Sequence, residues 1–283
     1  MLENYKFSSK IKGKNILFLG SVHGNEKCGS QAIDFFVDQF KRKKLFINKG
    51  SVVFMPRVNK LAYQKNVRYI DYNLNRIIND NFDASIYESM IAKELKTFIK
   101  KSDILVDLHS MEAKTVPMVF VDYDKPKWLE LGLASGIKHI ILNWPNIYKH
   151  GGLGVADTTK YAMSKNIPGI TIECGQHKDR GSVAVARKSI INILSYHGLI
   201  NQDIMSKSDY KNNFYVAEKV FFRKNLKDKF HKNWKNFDFI KKGQVIANGP
   251  SGKILSLKDG YILLPKNNAK IKDEWFYLGV RKK

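Results

Sequence analysis

Asn15-Ile16-Leu17-Phe18-Leu19-Gly20-Ser21-Val22-His23-Gly24-Asn25-Glu26 runs from an apolar strand-like stretch through a glycine into a polar turn. A short apolar run that stops at a turn signal reads as a buried strand. Comparable runs recur at 51–55, 104–108, 116–121, 139–142 and 169–173, and stretches with helical spacing lie between them at 30–40, 85–100 and 182–196. Alternation of this kind over 15–197 predicts an α/β layer built on a largely parallel sheet. Ser85, followed three residues later by Glu88, reads as a capping box opening the second helix. Open α/β sheets place ligands beyond the carboxyl ends of their strands, so function is sought in the segments that follow the runs.

Beyond Gly198 the character changes. Residues 201–213 are polar and lysine-rich and read as a linker; short β-type runs follow at 216–222, 244–247, 253–257, 261–264 and 275–280, with Gly243, Gly249, Gly252 and Gly260 as turn residues. The expected organisation is a catalytic domain over 1–200 and a small all-β domain over 201–283, in keeping with ~100 to 200 residues per domain. Among 283 residues there are only two cysteines, Cys28 and Cys174, too few for a disulfide framework. With no signal-like start and no apolar run of membrane length, an unexported, cytoplasmic protein with reduced, packed thiols is expected. Lys and Arg number 49 against 26 Asp and Glu, a net charge of +23, which attracts nucleic acid, anionic membrane or a small anionic substrate alike. The excess is concentrated among C-terminal lysines, and no recognition helix or aromatic RNA platform accompanies it. A solvated basic surface is therefore expected, with neither nucleic acid nor membrane as partner.

Four clusters carry chemistry. His23 and Glu26 stand three apart on a turn that Gly24 lets pass close to a neighbour; imidazole nitrogen and carboxylate oxygen suit Zn²⁺, though the same stretch also reads as an ordinary polar loop. Asp107-Leu108-His109-Ser110 offers a second imidazole from another strand end, with Asp107 available to accept a ring N–H. Two histidines and one glutamate leave a tetrahedral ion one open position, the arrangement of catalytic rather than structural zinc. Glu173 ends the apolar run 169–173, where burial beside a metal tunes a carboxylate as general base; alternatively it emerges into solvent. Arg68-Tyr69-Ile70-Asp71-Tyr72-Asn73-Leu74-Asn75-Arg76 supplies two guanidinium groups, suited to polarising a carbonyl and to gripping a carboxylate.

Taken together and in order, His23-x-x-Glu26, Arg68, Asn75-Arg76, His109 and Glu173 resemble the succinylglutamate desuccinylase and aspartoacylase family, relatives of the zinc carboxypeptidases. The resemblance implies a zinc-carboxypeptidase-like, mostly parallel mixed sheet flanked by helices, with a small C-terminal β domain that narrows the active site. It implies that His23, Glu26 and His109 bind zinc and that Glu173 is the catalytic base. Arg68 is implied to stabilise the oxyanion, and Asn75 and Arg76 to hold the substrate α-carboxylate. Glu274-Trp275-Phe276-Tyr277 resembles the stretch carrying a substrate-contacting tyrosine, although Tyr277 also reads as a strand core residue. The expected activity is hydrolysis of a small anionic N-acylated amino acid, with a homo-oligomer left open as its assembly. A carboxypeptidase acting on peptides is the nearer alternative, and a basic nucleic-acid-binding protein with a relic metal site the more distant one. Two departures stand out. Asn73 replaces an aspartate common in the family, which is expected to alter a supporting hydrogen bond but to touch no ligand, and Met163 stands where aspartoacylases carry an arginine for the substrate side chain, which counts against N-acetylaspartate. Lys160 and Lys165 are the nearby cations.

Overall fold

The computed structural model describes residues 1–79, 83–150, 156–201 and 212–282. The stretch read as a linker, 201–213, lies almost wholly outside these described residues. Contacts divide the chain into one unit of residues 1–140 and 154–212 and another of 141–153 and 213–283.

The strands of the first half are β1 (Tyr5–Ser8), β2 (Asn15–Gly20), β3 (Ser51–Met55), β4 (Ile104–Met111), β5 (Met118–Val121), β6 (His139–Leu142) and β7 (Gly169–Gln176). Their order in the sheet is β1-β3-β2-β4-β7-β5-β6. The central pairs β3/β2, β2/β4 and β4/β7 are parallel, whereas β1/β3 and β7/β5 are antiparallel. The α/β expectation holds, with a mixed, mostly parallel sheet. Its helices are α1 (Cys28–Lys41), α2 (Lys60–Lys65), α3 (Tyr87–Lys100), α4 (Pro126–Ala134), α6 (Thr158–Ser164) and α7 (Arg180–Tyr196), while α5 (Trp144–His150) belongs to the second unit. No helix among the described residues is long and apolar enough to cross a membrane.

The apolar run of β2 is continuous because both faces of the sheet are covered. Leu17 and Leu19 share a core with Val53, Met55, Leu105 and the α3 residues Ile91, Leu95 and Ile99. On the alternate positions, Phe18 stacks on Phe54 at 5.5 Å between ring centroids, and Phe36 and Phe40 of α1 continue the aromatic cluster. Each such side chain, once fully buried, contributes about 1.5 to 3 kcal/mol.

Several boundaries depart from the sequence expectation. The strand expected at 116–121 starts at Met118, because Pro117 has no N–H to give to a ladder. Strands β4 and β7 continue past the apolar runs, so His109 and Glu173 lie within paired strands and face each other in register. The Ser85–Glu88 capping box does not form: Ile86 is the N-cap of α3, with no side-chain cap. Glu88 turns instead to the backbone of the loop before the helix, accepting the Ile70 N–H.

The second unit holds β8 (Asn213–Phe222), β9 (Lys229–Phe230), β10 (Phe239–Ile240), β11 (Val245–Asn248), β12 (Ile254–Leu255), β13 (Gly260–Leu263) and β14 (Glu274–Lys282). Antiparallel ladders join β8, β14, β13 and β10 in that order, and β12, β11 and β9 form a separate small sheet. Trp234, Ile246, Ile262, Trp275 and Phe276 form its core. Gly243, Gly249 and Gly252 have positive φ, as turns require. Gly260 does not serve a turn: it opens β13, where a Cβ would sit 2.8 Å from the Gly279 carbonyl oxygen of β14.

Candidate metal centre and active site

The chain leaves β2 through Ser21, whose φ of 47° reverses the backbone at once. Ser21 Oγ donates to the Glu26 carbonyl at 2.9 Å, closing the turn on itself. Gly24 passes so near α2 that a Cβ there would meet the Ala62 carbonyl carbon at 2.1 Å. This close approach carries His23 and Glu26 inward, and both are buried.

Glu26 is the hub of the site. Its Oε1 lies 2.9 Å from His23 Nδ1, and its Oε2 lies 2.8 Å from His109 Nδ1. It also accepts from Arg68 Nη1 at 2.8 Å and from the Ser110 N–H at 3.0 Å. One ligand atom from each of His23, Glu26 and His109 fits within 4.8 Å of the other two. The outer ring nitrogens face oxygens: His23 Nε2 is 3.0 Å from Asn73 Oδ1, and His109 Nε2 is 3.0 Å from Asp107 Oδ1. An ionised Glu26 can only accept, so the Nδ1–H of each ring donates to it here; a cation shared by the three groups would take the place of those protons, with the oxygens behind the rings there to receive Nε2–H. The donor set of two imidazoles and one carboxylate fits Zn²⁺.

Asn73 makes a supporting hydrogen bond as expected, but the group it supports is a proposed ligand, His23, contrary to the expectation that it touches none, because the loop it belongs to folds back onto that ring. Asp107, expected as an orienting partner, does lie behind His109. Its second oxygen accepts from Thr158 Oγ1 at 2.6 Å, a contact that a separation of 51 positions hid from the sequence.

Charge and burial compete at each group. Burial lowers the His23 pKa, with Arg68 adding to the effect against the pull of Glu26. For His109 burial acts downward too, but the charges of Asp107 and Glu26 outweigh it and hold the ring well above the usual range. Burial would raise Glu26, yet the two histidines keep it well below the ordinary carboxylate value. Glu173, opposite His109 in the sheet, is pushed up to about 7 by burial and then by the negative charge of Glu26. Its Oε2 is buried and has no hydrogen-bond partner among the described residues, and the same holds for Asn75 Oδ1.

Asn75 and Arg76 lie in a single 3-10 turn, Leu74–Arg76, whose N-cap is Asn73. Arg76 is exposed at the surface of this turn. Tyr277 belongs to the second unit, where it is buried within β14 with its ring 4.7 Å from that of Trp144. Met163 lies on α6, and Lys165 Nζ sits 5.3 Å from the Tyr161 ring centroid. Both cysteines are buried packing residues, Cys28 donating to the His109 carbonyl at 3.4 Å.

Sequence reasoning missed Ser110 and His177. Ser110 Oγ lies 2.9 Å from His177 Nδ1, and His177 lines a cleft of about 770 Å³ together with Asn25, Lys27, Glu112, Lys178 and Arg180. Burial lowers the His177 pKa. Its position four residues after Glu173 was the available signal.

Known proteins resemble this chain in sequence and in fold. Two probable aspartoacylases from Prochlorococcus marinus are 36% identical over 105 residues and 38% over 106. Each match covers 35% of this chain and 34% of the relative, so the chain spans about a third of the length of the curated relatives it matches. Among solved structures, a succinylglutamate desuccinylase/aspartoacylase from Rhodobacter sphaeroides superposes with a TM-score of 0.76 at 18% identity, covering 96% of this chain and 87% of that one. The product-bound ectoine utilization protein EutE (DoeB) from Ruegeria pomeroyi gives 0.74 at 19% identity, covering 95% and 86%. These two establish the likeness of fold. The profile of the succinylglutamate desuccinylase/aspartoacylase catalytic domain matches residues 12–195, more than half of the sequence, and the chain belongs to that family.

Proposed function

We propose that this chain is a zinc-dependent amidohydrolase that removes the acyl group from a small anionic N-acylated amino acid. The observation that carries the reading is the convergence of His23 Nδ1, His109 Nδ1 and both Glu26 oxygens, with Glu173 in register opposite His109. His23, Glu26 and His109 hold the ion. Bound there, zinc supplies a Lewis acid for the amide carbonyl and brings the pKa of water from ~15.7 towards ~7.

Glu173 takes the proton from the attacking water and returns it to the amine nitrogen, which leaves only when protonated. A carboxyl group raised to about 7 suits both steps, since it is neither too weak a base nor too weak an acid near neutral pH. Arg68, already 2.8 Å from Glu26, places fixed positive charge where the oxyanion develops, a contribution of about 3 to 4 kcal/mol at comparable sites. Asn75 and Arg76 hold the substrate carboxylate, the guanidinium through its planar fork. Lys27, Lys178 and Arg180 outnumber Glu112 and Asp179 around the neighbouring cleft, which supports an anionic substrate. The C-terminal β domain, with Tyr277 as a substrate contact, is assigned the role of excluding long peptides; this part rests on the family resemblance.

A deacylation screen tests the reading. The zinc-loaded protein is offered N-acetyl, N-succinyl and N-formyl amino acids beside peptides, before and after chelation. Chelator-sensitive release of a free amino acid is expected. Cleavage confined to peptide C-termini would replace the reading with a carboxypeptidase, and inactivity towards every amide would sink it.

A further inference from the structure

The loop that carries Arg68, Asn75 and Arg76 has little core to hold it. Residues 66–69, 71 and 72 are exposed, and Leu74 is the fully buried side chain that follows them. Such a loop is expected to sample many shapes unless something else fixes its backbone.

Glu88, in the first turn of α3, is completely buried and supplies that fixing. Its Oε1 accepts from Asn59 Nδ2 at 2.9 Å and from the Ile70 N–H at 2.7 Å. Its Oε2 accepts from the N–H groups of Asp71 and Tyr72, each at 3.1 Å. Three consecutive amides thus converge on one carboxylate. The loop answers in kind, because Asp71 Oδ2 accepts the N–H of Tyr87, the first residue of α3, at 2.8 Å. On either side the loop meets the metal centre: Gly24 N–H donates to the Arg68 carbonyl at 3.1 Å, and Asn73 Oδ1 lies 3.0 Å from His23 Nε2.

We propose that Glu88 is a positioning residue for substrate recognition, which holds the loop from Arg68 to Arg76 in the shape that presents Asn75 and Arg76 to the substrate carboxylate while touching neither substrate nor metal. Both oxygens accept twice, which a glutamine cannot reproduce: its NH₂ would confront two donors. A buried negative charge is sustained here by four donors and by the N-terminal end of a helix. What the loop grips rests on the amidohydrolase reading; the clamp itself rests on the hydrogen bonds alone.

Two measurements test this. In the wild type, hydrogen exchange of the amides of Ile70, Asp71 and Tyr72 is expected to be ~100-fold or more slower than in an unprotected chain. Glu88→Gln is expected to speed exchange within residues 68–76, to leave zinc content intact, and to raise KM ~10-fold or more with a smaller change in kcat. Asp71→Ala, which removes the side-chain bond to the Tyr87 N–H but keeps the three amides on Glu88, is expected to lower the melting temperature and to raise KM clearly less than Glu88→Gln does. Free exchange of the three amides in the wild type would overturn the clamp even if Glu88→Gln fails to fold. A folded Glu88→Gln with wild-type KM, or an equal rise of KM in Asp71→Ala, would overturn the positioning role. If the wild type cleaves no N-acylated amino acid, the functional reading fails, and the exchange data still decide the clamp.

Discussion

The turn 21–26 and the loop 68–76 both present polar side chains from irregular backbone, and they are held in opposite ways. In the turn, every residue except Asn25 is buried, Ser21 closes the backbone on Glu26, and Gly24 lies against α2 with no room for a side chain. The loop is mostly exposed and takes its shape from one carboxylate on a helix that begins more than ten residues later. Steric confinement fixes the metal ligands, while hydrogen bonding fixes the groups assigned to the substrate. A packed turn therefore fails all at once when altered, whereas a hydrogen-bonded loop loosens.

The largest effect expected from this difference is that of Gly24→Ala. A Cβ 2.1 Å from the Ala62 carbonyl carbon cannot be relieved by a rotamer change, because the obstacle is backbone. A loss of about 4 kcal/mol or more, read from chemical denaturation, together with loss of zinc binding, is expected. A stable, zinc-competent Gly24→Ala would erase the contrast between the two regions.

Next comes Glu173→Gln, which leaves turn and loop intact and removes the base. Zinc content should be retained and kcat should fall ~100-fold or more. Retained turnover in a folded, metal-loaded variant would remove Glu173 from the mechanism. The same residue sets the pH dependence. Burial and the charge of Glu26 raise it to about 7, so the base is lost by protonation as pH falls through that region. A cation held by Glu26 cancels part of the repulsion, so the acid limb of kcat/KM is expected at or somewhat below pH ~7. An acid limb well above that value would assign the titration to another group.

What the sequence made legible follows the same division. His109 and Glu173 stood out because each ends an apolar run, where a strand fixes the direction of its end residue, and His23 and Glu26 because they share the turn that directly follows one. The extra length of β4 and β7 was hidden, since Ser110, Cys174 and Gln176 do not look like strand. Helix α4 announced itself only by Pro126 at its first turn, and α6 only by Asp157, whose side chain accepts the Lys160 N–H. Ser85 and Glu88 had the spacing of a capping box, yet Glu88 found four stronger claims on its oxygens. Nothing local distinguishes a glutamate that reaches back to its own helix from one that organises a distant loop. Thr158 behind Asp107 escaped for the same reason, as did the identity of the ring that Asn73 supports.

The two imidazoles allow the finest test, because similar rings are backed by different partners. A charged carboxylate faces His109, and a neutral carboxamide faces His23. Their protonation follows: Asp107 and Glu26 hold His109 well above its usual range, whereas burial leaves His23 below it. A negative partner behind an imidazole raises the basicity of the nitrogen that faces the metal. Asp107→Asn is therefore expected to weaken zinc binding ~10- to 100-fold in a competition titration with a chelating dye. Asn73→Asp should act in the opposite sense and more weakly, tightening zinc ~3-fold, because the new carboxylate sits in a partly exposed loop where solvent screens it. If Asn73→Asp instead loosened zinc, the bond from Asn73 to His23 would be serving the shape of the loop, through the Asn75 N–H it also accepts at 3.0 Å, more than the electronics of the ligand.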